Sequence, residues 1–356
     1  ILEVTPEVRP FKMAGGMGVV NGTLPNEINK FHAWATTVSL YYDDGDYDQD
    51  REGSPFTAKK KMDFTLTVTI AGEKHAAEVY RVQRRNDDGT YADFFFLKDT
   101  FDGADNTTRK LYAAPSGEAL GLKQAVFLSE GALQLMKELH NRNGRKFDVI
   151  RAHDWQAALA PIYLRTRAYA EDADMRAAIT GVRPMGFFHN LMPGYRGEFG
   201  ADQWHLLGLG EEHKQAFGWE WVTNGDNYSH ILNGFNENGM SIGKALSHHA
   251  DGLFVPSPTY GEMIKTPEYG YDMNTMFQAR GHVLAGILNG AEYNMGDEMI
   301  YPRGRRSMAN FLEHRRRAKV ALLEQSGLME EIEKTVRERL GADATEDEFI
   351  TEIAHE

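Results

Sequence analysis

Short apolar runs of strand length alternate along the chain with amphipathic stretches of helix length. Ile1–Val4 reads as a strand, and the stretch from Gly16 to Phe31 reads as a glycine turn followed by a helix. Trp34–Tyr42 (WATTVSLYY) is rich in β-branched and aromatic side chains, which pack well on a pleated surface, and reads as the next strand. Leu122–His140 sets Ala125, Phe127, Leu128, Ala132, Leu135, Met136 and Leu139 along one stripe at helical spacing. Phe147–Ala152 is then a strand with a polar cluster, His153-Asp154-Trp155, at its carboxyl end and a helix behind it. The same order recurs at Val182–Gly194 (strand, then His189-Asn190), at Ala250–Ile264 (strand, Pro256-Ser257-Pro258, helix) and at His282–Asn294. Such alternation implies an α/β fold on a mostly parallel, doubly wound, Rossmann-like sheet. Sheets of this kind bind ligands beyond the carboxyl ends of their strands, and each polar cluster falls at one.

Two segments break the alternation. Residues 60–100 hold three strand-like runs separated by Ala71-Gly72 and by Asp88-Gly89, a hairpin signal, and predict an antiparallel insertion. Residues 200–240 are rich in aromatics, glycine and asparagine and read as an irregular insertion near the strand tips. From about residue 301 to 356 the chain becomes charged amphipathic helix with no further strand. The expected division is a Rossmann-like domain over 1–300 and a helical extension or linker over 301–356.

Composition narrows the function classes. No apolar run reaches the ~18 residues that a membrane span requires. A net charge of −13 repels nucleic acid and anionic membranes; the basic stretch Tyr301–Lys319 reads as one solvated helix face. The chain has no cysteine, which removes disulfides, thiolate metal sites and cysteine nucleophiles and fits a cytoplasmic protein. Its 13 histidines form no H-E-x-x-H, and the neighbours His248 and His249 do not share a helix face, so no metal is expected. Ser257 reads as a helix N-cap with Pro258 at the first helical position.

Several motifs, in order, then resemble one family. Glu3–Pro25 (EVTPEVRPFKMAGGMGVVNGTLP) is similar to the opening E-x-x-P-x-x-K-T-G-G-L-G-D-V-x-G-x-L-P of bacterial glycogen synthases and plant starch synthases. RAHDWQ at Arg151 stands for H-x-H-D-W-H, and HNLMPGYRGEF at His189 for H-N-L-x-Y-Q-G-x-F. ADGLFVPSPTYGEMI at Ala250, TPEYGYD at Thr266 and GILNGAE at Gly286 complete the series. The family consists of retaining glycosyltransferases built from two Rossmann-like domains, the GT-B architecture, and this chain resembles the N-terminal half. The resemblance implies transfer of a hexose, glucose first among candidates, from a nucleotide sugar to a glucan or oligosaccharide acceptor. The nucleotide sugar enters as substrate, and no cofactor is implied. Three departures stand out. Met13 occupies the position of the family Lys that contacts donor phosphates, with Lys12 one place earlier; Val19 and Glu292 replace family aspartates; and nothing after Gly327 resembles the donor-binding domain.

The candidate site residues follow. Gly15 and Gly16 either leave room for a donor's phosphate or sugar beside backbone N–H groups and a helix N-terminus, or serve only a tight turn. The resemblance places His153 and Asp154 on the acceptor side of the cleft; Asp154 either takes a sugar hydroxyl or caps the following helix, and the Trp155 ring stacks on a pyranose or on the core. It makes His189 the catalytic residue, donating hydrogen bonds near the reacting centre, with Asn190 beside it. Two alternatives accompany the transferase reading: a catalytically inactive carbohydrate-binding protein, and one subunit of a split transferase whose donor site lies on a second chain or on a domain beyond this stretch.

Overall fold

The computed structural model describes residues 1–101, 106–112, 118–167, 169, 171–192, 195–217, 220–224, 227–231 and 239–289, with isolated positions 336 and 340. Apart from those two positions, the extension expected over 301–356 lies outside the described residues, as do its basic stretch and Glu292.

Among the described residues, nine strands form one sheet. They are β1 (Leu2–Val4), β2 (Thr36–Leu40), β3 (Lys60–Ile70), β4 (Glu73–Arg85), β5 (Tyr91–Asp99), β6 (Val149–His153), β7 (Arg183–Phe187), β12 (Gly252–Val255) and β13 (Leu284–Gly286), in the order β13-β12-β7-β6-β1-β2-β5-β4-β3. Four further short strands among the described residues lie outside it. β8 (Glu198–Phe199) pairs with β11 (Met240–Ser241), and β9 (Glu220–Asn224) with β10 (Asn227–Ile231), each antiparallel. From β13 through β5 every neighbour is parallel. The segment expected as an antiparallel insertion is the far edge of this same sheet: β3 and β4 run antiparallel, but β5 lies parallel to β2 and joins them to the rest. Strand propensity carries no direction, so the sequence pattern did not distinguish a separate hairpin from a sheet extension.

The chain moves outward from β1 to β2 and β5, then returns under the sheet. The return is α2 (Ala119–Asn143), which feeds β6 on the opposite side of β1. Its stripe of Phe127, Leu128, Leu135, Met136 and Leu139 is buried in the main core, as the spacing predicts. It stops at Gly144, whose φ of 69° and N–H bond to His140 O make a left-handed C-cap. The reversal of winding puts a topological switch point between β1 and β6, where crevices open beyond the strand tips in sheets of this kind.

The loop from β1 into α1 (Gly16–Asn29) is anchored by a second, smaller core. There Phe11, 2% exposed, packs on Phe94, Phe96 and Phe56 at ring separations of 5.7, 4.7 and 5.1 Å. α1 lies tight against that loop. A Cβ on Gly22 would sit 2.3 Å from Arg9 O, and one on Gly18 2.5 Å from Met13 Cβ. At Gly15 and Gly16 a Cβ would meet nothing within 4 Å. The glycines required by close packing are therefore Gly18 and Gly22. Gly22→Ala, which would favour an unencumbered helix by roughly 0.5–1 kcal/mol, should instead destabilise the protein by about 1–3 kcal/mol because its neighbour is backbone. Gly15→Ala should stay within about 0.5 kcal/mol of wild type. Denaturant midpoints of the two variants check this ranking.

Candidate active site

Burial on both faces of a central parallel strand leaves no room for an unpaired charge. Leu2 and Val4 of β1 enter the main core, yet Glu3 between them is also 0% exposed on the opposite face. It faces Arg151, its register partner on β6. The guanidinium donates through Nε and Nη2 to the two carboxylate oxygens, each at 2.7 Å. His153 Nε2 lies 3.1 Å from Glu3 Oε2, and His153 Nδ1 lies 3.0 Å from His189 Nε2. A line of four side chains thus runs from the middle of β1 to the tip of β7. Burial alone would raise the Glu3 carboxyl, but Arg151 and His153 outweigh it and hold the pKa down at about 2. His153 is pushed down by burial against the pull of Glu3. His189 is pushed down to about 2 by burial, then by His153 and Arg151. Both imidazoles are therefore neutral at pH 7.

Asp154 follows His153 with φ of 55°, a left-handed conformation that Asp tolerates better than most residues. Of the two roles the sequence leaves open for Asp154, the helix cap does not form. Asp154 is the first residue of α3 (Asp154–Ala157), the N-cap is His153, and no side chain caps that helix. The left-handed backbone turns the carboxylate into the neighbouring loop instead. There Oδ1 accepts the His189 N–H at 2.7 Å and Oδ2 the Tyr195 hydroxyl at 3.3 Å. Burial pushes this carboxyl up to about 7, against bonds from the backbone of His189 and Asn190 and from Tyr195. Trp155, 5% exposed, packs edge-on against Phe199 and belongs to the core. Asn190 spends its side-chain oxygen on Met192 N at 2.9 Å, shaping its own loop.

The glycine loop joins the same network from the other side. Glu7 Oε2 accepts the N–H groups of Ala14 and Gly15 at 2.7 and 2.9 Å. The Tyr112 hydroxyl donates to Glu7 Oε1 and lies 3.5 Å from the Tyr195 hydroxyl. Gly15, His153 and His189 are thereby brought to one end of the sheet, linked through Glu7, Tyr112, Tyr195 and Asp154. The Gly15 amide, one of those that would face a donor phosphate, is held by the chain's own carboxylate together with that of Ala14. Lys12 turns away to Asp44, at 2.7 Å, and Met13 is 39% exposed at the loop's surface. Ser257 caps its helix as expected, accepting from Tyr260 N at 3.0 Å, with Pro258 at the first turn.

Sequence reading missed Glu3, Arg151, Glu7, Tyr112 and Tyr195. A signal existed for the first two: opposite charges inside two otherwise apolar strands. A cavity of about 200 Å³ lies at the other end of the strands, lined by Trp34, Thr36, Tyr91, Asp93 and Arg145 among others, and shares none of these groups. Among the described residues no group of three or more His, Asp or Glu side chains is arranged to hold a metal.

A family model described as starch synthase catalytic domain matches residues 1–279. The glycogen synthase of Thermotoga maritima is 30% identical over 334 residues, covering 92% of this chain and 60% of that protein. That of Desulforudis audaxviator is 27% identical over 347 residues, covering 92% and 59%. A solved structure, the catalytic domain of starch synthase IV from Arabidopsis thaliana bound to ADP and acarbose, has a TM-score of 0.69 at 18% identity over 91% of this chain and 58% of that one. It shares the fold. The chain spans about three fifths of the length of the curated relatives it matches.

Proposed function

The chain belongs to the starch synthase catalytic domain family of the glycogen and starch synthases, and from that premise we propose that it is the acceptor-side part of a hexosyltransferase. Its substrates are a nucleotide sugar, with ADP- or UDP-glucose as the first candidates, and a glucan acceptor. His189 stands at the reacting sugar, Asp154 holds the His189 backbone, and Gly15 and Gly16 leave space for the donor side. The observation that carries the reading is the meeting of three strand-tip clusters at the switch point, with His153 and His189 3.0 Å apart. No helix among the described residues is long and apolar enough to cross a membrane.

One observation favours a second reading, carbohydrate binding without transfer or one subunit of a split transferase. The glycine loop offers no free cation: Lys12 is paired with Asp44 and Met13 stands in the next place. Incubating the chain together with whatever domain of the same protein lies beyond this stretch, in the presence of radiolabelled ADP-glucose and glycogen, separates the two readings. Transfer is expected, and His189→Ala should lower kcat by roughly 100-fold, with a stability loss of about 1–3 kcal/mol because the buried His153 Nδ1 loses its donor. Binding of maltotetraose without transfer would select the second reading. Neither binding nor transfer would remove both.

A further inference from the structure

We propose that Glu3 and Arg151 are positioning residues that fix, through His153, the proton of His189 on Nε2, so that His189 offers the free lone pair of Nδ1 to a hydroxyl of the bound sugar. The step to the sugar rests on the transferase reading; the placement of the proton does not.

The hydrogen positions along the line follow from its carboxylate end. Glu3 receives two guanidinium N–H bonds from Arg151 and is an acceptor only. The ring nitrogen beside it, His153 Nε2 at 3.1 Å, must then carry its hydrogen. A neutral imidazole has one N–H, so His153 Nδ1 is a bare acceptor. His189 Nε2, 3.0 Å away, must supply the hydrogen between them. The neutral His189 ring therefore has no hydrogen on Nδ1. A second proton on either ring is disfavoured by burial and by the Arg151 guanidinium. Nδ1 has no hydrogen-bond partner among the described residues and is not among the buried atoms left without one, so it remains open to a ligand. The donor role that the family resemblance implies for the His189 ring is thus reversed for this atom: it receives an O–H and cannot donate to a departing phosphate. Phe187 stacks on both rings, at 5.5 Å from His153 and 4.4 Å from His189, and keeps them in the planes the relay needs.

Arg151 decides the proton count. Without it, a buried Glu3 carboxylate has no countercharge, and the Glu3–His153 pair takes up one proton. With that proton on His153, or on Glu3 Oε2 facing His153 Nε2, His153 Nδ1 becomes N–H and donates to His189 Nε2. His189 must then move its own hydrogen to Nδ1.

Histidine-selective nitrogen-15 NMR of the full chain reads this directly, with signals assigned by single His→Gln variants. In wild type, His153 and His189 should both show a protonated Nε2 and a pyridine-like Nδ1, and maltotetraose should shift the His189 Nδ1 signal while leaving the tautomer in place. In Arg151→Met, His189 should switch to the Nδ1–H form and kcat should fall at least tenfold with a smaller change in KM. A purely structural role would alter stability without exchanging the tautomers. An Nδ1–H His189 in wild type, or fast averaging of the two forms, overturns the relay whatever the enzyme's activity; this measurement stands even if Arg151→Met fails to fold. The expected tautomers with a His189 Nδ1 signal indifferent to maltotetraose would overturn the sugar contact and count against the transferase reading, leaving the proton placement intact.

Discussion

Glu3→Ala is expected to lower the unfolding free energy at pH 7 by about 3–5 kcal/mol. The loss has little to do with the methylenes removed. Arg151 is 14% exposed at its side chain and would keep a charge with no partner, while His153 Nε2 would lose its acceptor. The effect should also depend on pH with a definite sign. The Glu3 pKa is held at about 2 in the folded protein, against about 4.3 in an unfolded chain. A depressed carboxyl contributes stability above its unfolded value and loses it as pH falls towards the folded value. That contribution is about 3 kcal/mol, present at pH 5 and largely gone at pH 2. Urea titrations of wild type and variant should therefore converge as pH is lowered from 5 to 2. A gap of constant size would mean that Glu3 acts through packing alone.

How far such a pair is legible in sequence depends on where the partners lie. His153-Asp154 and His189-Asn190 stood out because they end apolar runs, and the rule that ligands gather at strand tips brought them together before any coordinates. Glu3 did not stand out, since one acid in a four-residue run reads as the solvent side of an alternating strand. Only when β1 is known to be central, with parallel neighbours on both edges, does that position become buried. Its partner lies 148 residues away, and strand register is set by tertiary packing. Asp154 shows a different limit. Its spacing to the following helix is that of a cap, but a φ of 55° points the carboxylate elsewhere, and backbone handedness at a non-glycine residue is invisible in sequence. Tyr112 sits in an irregular stretch with no periodicity to read. The glycine cluster marks the turn into α1, yet the tight packing falls on Gly18 and Gly22, because only the crossing of α1 over Arg9 reveals which glycines face backbone.

Asp154→Asn should remove a slope from the pH dependence of stability. Burial raises this carboxyl to about 7 in the folded protein, whereas an unfolded aspartate titrates near 3.9. Between those values the folded chain holds a proton that the unfolded chain has released. Stability therefore falls as pH rises from about 4 to about 7, by up to about 4 kcal/mol, and levels off above. This is opposite in sign to the Glu3 contribution, and the windows barely overlap: Glu3 acts below pH 4.3 and Asp154 above 3.9. Asparagine has one carbonyl where aspartate has two acceptor oxygens. It can still accept the His189 N–H, but its NH2 group faces the Tyr195 hydroxyl, which now lies beside a donor. The variant should accordingly be less stable than wild type at pH 5, by about 1–3 kcal/mol, and should close that deficit or reverse it by pH 8. Transfer or glucan binding should weaken at both pH values, because the loop carrying His189 loses part of its clamp. Unfolding titrations at pH 5, 6.5 and 8 decide the matter: parallel profiles for the two proteins would mean that Asp154 keeps an ordinary carboxylate pKa and that its burial beside His189 does not shape the site's charge.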